Sequence, residues 1–179
     1  PTDFSLALTG SGKPPVWVVA ADTTLPAPNL VLAQTSQDRT ENHFPLAILD
    51  GYSAPDVLVL TRFRTVDGSV DQAGGVIARV QDARNYYVAR ANALEGNVTL
   101  YVVTNGVRRQ IGGQDVPVAK AQWHSLALRV EGRDLQVSFN DRPLFNVTDR
   151  TIAKAGRVGL WTKSDSVTHF EFLQVDTLP

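Results

Sequence analysis

Six residues combine flat rings or long hydrogen-bond donors with a shared orientation. Period-two alternation sets Arg79, Tyr86, Arg90, Tyr101, Trp161 and Lys163 on the side of their strands away from the apolar positions. Aromatic planes stack on the C–H faces of a flat ligand such as a sugar ring, and guanidinium, ammonium and phenol groups fix its hydroxyls. The set therefore fits a concave site with a few directional polar contacts. His169 alternates with Glu171 against Phe170 and Phe172, which turns it away from the core and toward a place near Lys163. The same alternation also describes an outer sheet face covered by Arg and Lys stems, with Trp161 filling a gap between strands.

Carboxylates offer a second chemistry. A retaining glycosidase needs two carboxyl groups about 5 to 5.5 Å apart, which a Glu-x-Asp-x-Glu strand supplies. The four glutamates, Glu41, Glu95, Glu131 and Glu171, have no Asp two residues later. Any acid/base pair must then come from separate strands, with Asp82 and Asp165 as the first candidates. The Asp-bearing turns, at Val66-Asp67-Gly68 with Asp71 or at Asp165 with a carbonyl, could supply oxygen ligands to calcium, although the spacing is not that of a calcium-binding loop.

Other motifs lead nowhere catalytic. No Gly-x-Ser-x-Gly elbow occurs, and the three histidines, at positions 43, 124 and 169, form no triad pattern. His124 aligns with Leu126 and Leu128, so it is expected to be partly buried. Gly10-Ser11-Gly12-Lys13 has Pro14 where a phosphate loop requires Ser or Thr, and it reads as a turn. Asn97 and Asn146 begin Asn-x-Thr sequences, which matter only in a eukaryotic secretory route.

These residues must be positioned by strands. Alternating apolar runs recur along the chain and no window sustains a 3.6-residue period. The clearest strands are Val57 to Arg64, Gly75 to Val80, Tyr86 to Ala91, Asn97 to Val103, Ser125 to Glu131, Leu135 to Asn140, Arg157 to Thr162 and Val167 to Val175. Asn105-Gly106 supplies the two positive-φ residues of a type I′ hairpin, and Gly132-Arg133 and Asn140-Asp141 make further reversals. A single meander from Tyr86 to Val147 is the expectation. Prolines at 14, 15, 26 and 28 confine the first fifty residues to short edge strands and loops. Two packed antiparallel sheets in one domain, residues 1–179, accommodate so many short strands.

Composition narrows the partners. With 17 basic and 18 acidic residues the net charge is −1, which gives no electrostatic footprint for nucleic acid or an anionic membrane. No apolar run reaches the ~20 residues of a membrane-spanning helix. At 179 residues the chain can form a sizeable core without a disulfide, and with no cysteine it has no thiolate chemistry. The absence of methionine, even at position 1, is what removal of a leader would leave, so a secreted or periplasmic location is expected.

Three segments carry a resemblance in combination. They are Gly74-Gly75-Val76-Ile77-Ala78-Arg79 with Asp82 and Asn85-Tyr86-Tyr87-Val88-Ala89-Arg90-Ala91-Asn92; Trp123-His124-Ser125-Leu126; and Ala155-Gly156-Arg157-Val158-Gly159-Leu160-Trp161-Thr162-Lys163 followed by Asp165-Ser166-Val167. Together they resemble the concanavalin A-like lectin/glucanase superfamily, and within it the laminin G-like bacterial branch of 3-keto-disaccharide hydrolases and domains of unknown function. The similarity spans roughly residues 30 to 176. It implies an all-β jelly-roll sandwich of two curved antiparallel sheets, an exported bacterial protein, and a carbohydrate lying on the concave sheet. The expected function is a glycan-binding or accessory domain. The alternatives are a glycoside or 3-keto-disaccharide hydrolase and a laminin G-like protein-interaction module.

Overall fold

The computed structural model describes residues 1–179 and contains fourteen strands and no helix. In chain order they are β1 (Phe4–Gly10), β2 (Trp17–Ala21), β3 (Leu30–Gln34), β4 (His43–Leu49), β5 (Val57–Asp67), β6 (Ala73–Asp82), β7 (Asn85–Asn92), β8 (Asn97–Thr104), β9 (Val107–Asp115), β10 (Trp123–Glu131), β11 (Asp134–Phe139), β12 (Arg142–Thr148), β13 (Arg157–Trp161) and β14 (Val167–Thr177). They form two seven-stranded antiparallel sheets. One has the order β1-β4-β13-β6-β7-β8-β9 and the other β12-β11-β10-β5-β14-β3-β2.

The inward positions of both sheets meet in one core. Tyr87, Ala89 and Ala91 of β7 and Val98, Leu100 and Val102 of β8 pack with Val57, Val59 and Phe63 of β5 and Leu126, Leu128 and Val130 of β10. Removing these side chains from water at about 25 cal/mol per Å² is the main force holding the sheets together. The hairpins follow the turn chemistry of the sequence. Asn105 and Gly106 have φ of 50° and 82°, and Asn140 and Asp141 have 48° and 63°, so both two-residue loops twist with their strands.

Three expectations are corrected. The chain does not meander continuously from Tyr86 to Val147. β7, β8 and β9 stay in one sheet, whereas β10, β11 and β12 belong to the other, and the crossing takes place between Asp115 and Trp123, where Pro117 interrupts backbone donation. The first fifty residues are not all edge. β4 lies between β1 and β13 and is buried on both faces, so it shows no alternation, and Pro45 disguises it further. Arg79 does not follow the alternation of β6. Its φ is 48° at a break in the β6–β7 register, and this bulge sends Val80 to the same outer cluster as Ile77.

Candidate functional site

The sheet that contains β7 is concave on the face turned away from the core. Arg108 on β9 and Phe44 on β4 are separated by five strand steps in the hydrogen-bonded order, roughly 24 Å in a flat sheet. Yet the Arg108 guanidinium carbon is 4.6 Å from the Phe44 ring centroid. The sheet must curl for one side chain to cross that span. Thr9 on β1 and Tyr86 on β7 give the same geometry, with hydroxyls 2.8 Å apart.

Curvature closes the middle of this face. Trp161 stacks on Phe44 with centroids 5.5 Å apart and planes at 13°, and Leu46, Ile48, Ile77, Tyr86 and Val88 pack around the pair. Trp161 and Tyr86 are both 0% exposed, so their flat faces are committed to this second apolar cluster. Burial pushes the Tyr86 phenol up to about 12 even though Thr9 hydrogen-bonds it.

The flank formed by β7, β8 and β9 remains open as a polar cleft of about 290 Å³. Arg90 forms its wall. Its Nη1 donates to Asn97 Oδ1 at 2.8 Å, and its Nη2 donates to Glu95 Oε2 at 2.7 Å and to the Tyr101 hydroxyl at 3.2 Å. Thr99, Gln110, Gln114 and Asp115 complete the lining. Burial works against ionisation of Glu95, but the Arg90 charge outweighs it and holds the carboxyl below its ordinary range. Burial likewise opposes ionisation of Tyr101, and Arg90 and Arg108 overcome it, so that phenol also sits below its usual value. The cleft thus presents an ionised acceptor, a fixed cation, amide groups and one aromatic ring. Two residues that line it carry a buried polar atom without a protein partner, Arg90 Nε and Thr99 Oγ1. Such a set can bind hydroxyls directionally and stack one ring face.

Of the residues expected to form the site, Arg90 and Tyr101 meet in this cleft, and Trp161 and Tyr86 lie on the same sheet face but inside the closed part. Lys163 is on the face too, held 3.0 Å from Asp71, whose other oxygen accepts from Asn92 at 2.7 Å. Arg79 is elsewhere. Its guanidinium donates to the carbonyls of Pro55, Ile152 and Gly132 and to Asp56, a network that ties loops at the end of the sandwich. His169 lies on the outer face of the opposite sheet, not near Lys163. Its Nδ1 is 2.7 Å from Asp22 Oδ2, which also accepts two bonds from Arg64.

The two aspartates proposed for acid/base work are not brought together. Asp82 caps the β6–β7 turn through Arg84 N–H and Asn85. Asp165 accepts N–H bonds from Ser69, Val70 and Asp71, beyond the other end of the ten-residue strand β6. That separation is on the order of 30 Å, far outside the ~5 to 9.5 Å of glycosidase pairs. The calcium option meets the same obstacle. Asp165 faces N–H donors, Asp71 is taken by Lys163 and Asn92, and no group of three or more His, Asp or Glu side chains converges. His124 is buried, with Nε2 2.9 Å from the Ala119 carbonyl.

Sequence reading missed Glu95, Thr99, Gln110, Gln114 and Asp115, which line the cleft. Thr99 was within reach of it, because Asn97, Thr99 and Tyr101 continue the period-two face that Arg90 occupies across the β7–β8 ladder. The β9 residues were not, since Val107–Asp115 shows no apolar alternation.

The family model described as the galactocerebrosidase C-terminal lectin domain matches residues 47–178. Among solved structures, the chain is similar to carbohydrate-binding module CBM66 from Bacillus subtilis, with 20% identity, TM-score 0.75, and coverage of 96% of this chain and 95% of that one. It is also similar to a Bacillus subtilis protein of unknown function with a galectin-like fold, at 9% identity, TM-score 0.69 and coverage of 98% and 90%. Caenorhabditis elegans galectin LEC-6 aligns at 13% identity and TM-score 0.52, covering 69% of this chain and 84% of its own. No curated protein matches the chain by sequence. At these identities the structural likenesses speak for the fold, a lectin-like β-sandwich.

Proposed function

The chain belongs to the galactocerebrosidase C-terminal lectin-domain family, and from that premise we propose that it is a glycan-recognition domain whose ligand sits in the β7–β8–β9 cleft. The observation that carries this reading is Arg90, 2% exposed and pinned by Glu95, Asn97 and Tyr101 at the wall of a cleft otherwise lined by hydroxyl, amide and carboxylate groups. A rigid charged donor beside an ionised acceptor can grip adjacent hydroxyls, and the half-buried Tyr101 adds apolar ring contact against the C–H groups of a sugar.

Glu95 is tied to Arg90 and held ionised, which does not suit it to the general-acid role of a glycosidase and fits a hydrogen-bond acceptor for a bound hydroxyl. The reading extends to an accessory role in an exported protein, where such a domain would hold a catalytic partner against its polysaccharide.

A glycan array followed by calorimetry on the hits tests the proposal. Arg90→Gln is expected to weaken binding about ten- to hundredfold, the effect of losing a charged hydrogen-bond donor. Failure of the unmodified chain to bind across broad glycan classes would reject the reading.

A further inference from the structure

Arg90 and Arg108 both reach over the concave face, but they are held differently. Arg90 is anchored by a carboxylate, an amide and a phenol. Arg108 takes part in none of the eight ion pairs of the protein, and its Nη1 is buried without a hydrogen-bond partner. Its guanidinium is held by rings: the central carbon is 4.5 Å from the Tyr101 centroid and 4.6 Å from that of Phe44. A half-buried flat cation thus lies against two rings with one donor unpaired.

The location explains it. Tyr101 is shared: it lines the polar cleft and touches the Arg108 guanidinium. Passing inward from the cleft, a chain would meet Tyr101, then the space occupied by Arg108, then Phe44 stacked on Trp161. Arg108 stands on β9, an edge strand bonded on one side only, next to the Asn105-Gly106 turn and the 68%-exposed Val107. It can therefore swing into solvent without breaking a ladder or an ion pair.

We infer that the slot between Phe44 and Tyr101 is a second saccharide position, continuous with the cleft, which Arg108 itself fills and which a longer saccharide takes by displacing it. The inference rests on the cleft being a glycan site. It adds that Arg108 is a specificity residue, penalising chains long enough to reach the slot and leaving monosaccharides in the cleft unaffected. In this arrangement the flat guanidinium substitutes for the C–H face of a sugar ring, and its charge has no assigned partner.

The test has two arms. In the first, NMR of the full chain without saccharide should show the Arg108 δ-methylene protons shifted upfield by the two rings; shifts typical of a solvated arginine would overturn the inference. In the second, calorimetry compares the monosaccharide and the longer oligosaccharides of the array-selected series on the unmodified chain, Arg108→Ala and Arg108→Lys. Removing two ring contacts should tighten oligosaccharide binding about tenfold in both variants and leave the monosaccharide unchanged. Because lysine keeps the charge and loses the plane, it serves as a second variant should alanine fold poorly. Loss of oligosaccharide binding in the variants would make Arg108 a direct ligand contact and overturn the inference while the glycan reading stands. No binding by any of the three would overturn both.

Discussion

Gly159 of β13 and Ala47 of β4 approach so closely that a Cβ on Gly159 would lie 2.1 Å from the Ala47 carbonyl oxygen and 3.0 Å from its carbon. The contact lies in the β4–β13 pair, two residues along β13 from Trp161, which stacks on Phe44. A side chain here would have to push two hydrogen-bonded backbones apart, and only glycine avoids that.

Gly159→Ala should therefore cost about 2 to 3 kcal/mol, the range of a backbone-resisted overpacking. Urea unfolding followed by tryptophan fluorescence would read it. A variant with unaltered stability would mean that the strands can separate cheaply.

Arg79 yields a prediction that separates structure from recognition. Arg79→Met removes the shared donor of three loop carbonyls and Asp56 in a partly buried site, a loss of about 1.5 to 3 kcal/mol. Glycan affinity of the folded fraction should not change. Reduced affinity at full stability would return Arg79 to the binding site.

Arg79 also shows where sequence reading stops. Alternation assigned the two faces of β7 and β8 correctly, Tyr87, Ala89 and Ala91 inward and Tyr86, Val88 and Arg90 outward, because hydrophobic burial obeys the period of two. Asn105-Gly106 named its own turn. A bulge on a non-glycine residue leaves no such mark, and the alternation of β6 was carried one residue too far, through Arg79. Curvature is equally silent. Trp161 does point to the outer face, as the pattern requires, but the sheet curls over it and makes that face interior. β4 was missed as an internal strand because burial on both faces erases alternation, and β9 because an edge strand with few apolar residues never had it.

Asp165 should contribute to acid sensitivity together with Asp22, Asp38, Asp82, Glu95 and Asp149, whose carboxyls are also held below their ordinary range. Burial disfavours the Asp165 charge, but N–H bonds from Asp71, Ser69 and Val70 outweigh this and lower its pKa in the folded state. A carboxyl whose folded pKa lies below its unfolded value of about 4 contributes stability in full above that pH and loses it as pH falls toward the folded value. Denaturation midpoints should thus decline below about pH 4. Asp165→Asn should be less stable at neutral pH by roughly 1 to 3 kcal/mol and show a shallower acid limb. An unchanged acid limb would remove Asp165 as a contributor.

Two tyrosines should titrate on opposite sides of the ordinary phenol. Tyr86 is raised by burial to about 12. At Tyr101 burial acts in the same direction, yet the charges of Arg90 and Arg108 prevail and lower it. In Arg90→Gln the Tyr101 phenol should move upward, seen in the pH dependence of its ring-carbon NMR signal. A Tyr101 titration indifferent to Arg90 would contradict the electrostatics assigned to the cleft.

The candidate cleft lies on the concave sheet, whereas the opposite sheet carries its own aromatic and basic cluster, Trp123 with Arg62 and Arg64 and the His169–Asp22 pair. The direct discriminator is amide chemical-shift mapping of the full chain with a saccharide selected on the array. Perturbations should concentrate at Thr99, Tyr101, Gln110 and Gln114 and spare Arg62, Trp123 and His169; a map centred on Trp123 and His169 would contradict the assignment of the cleft as the binding site.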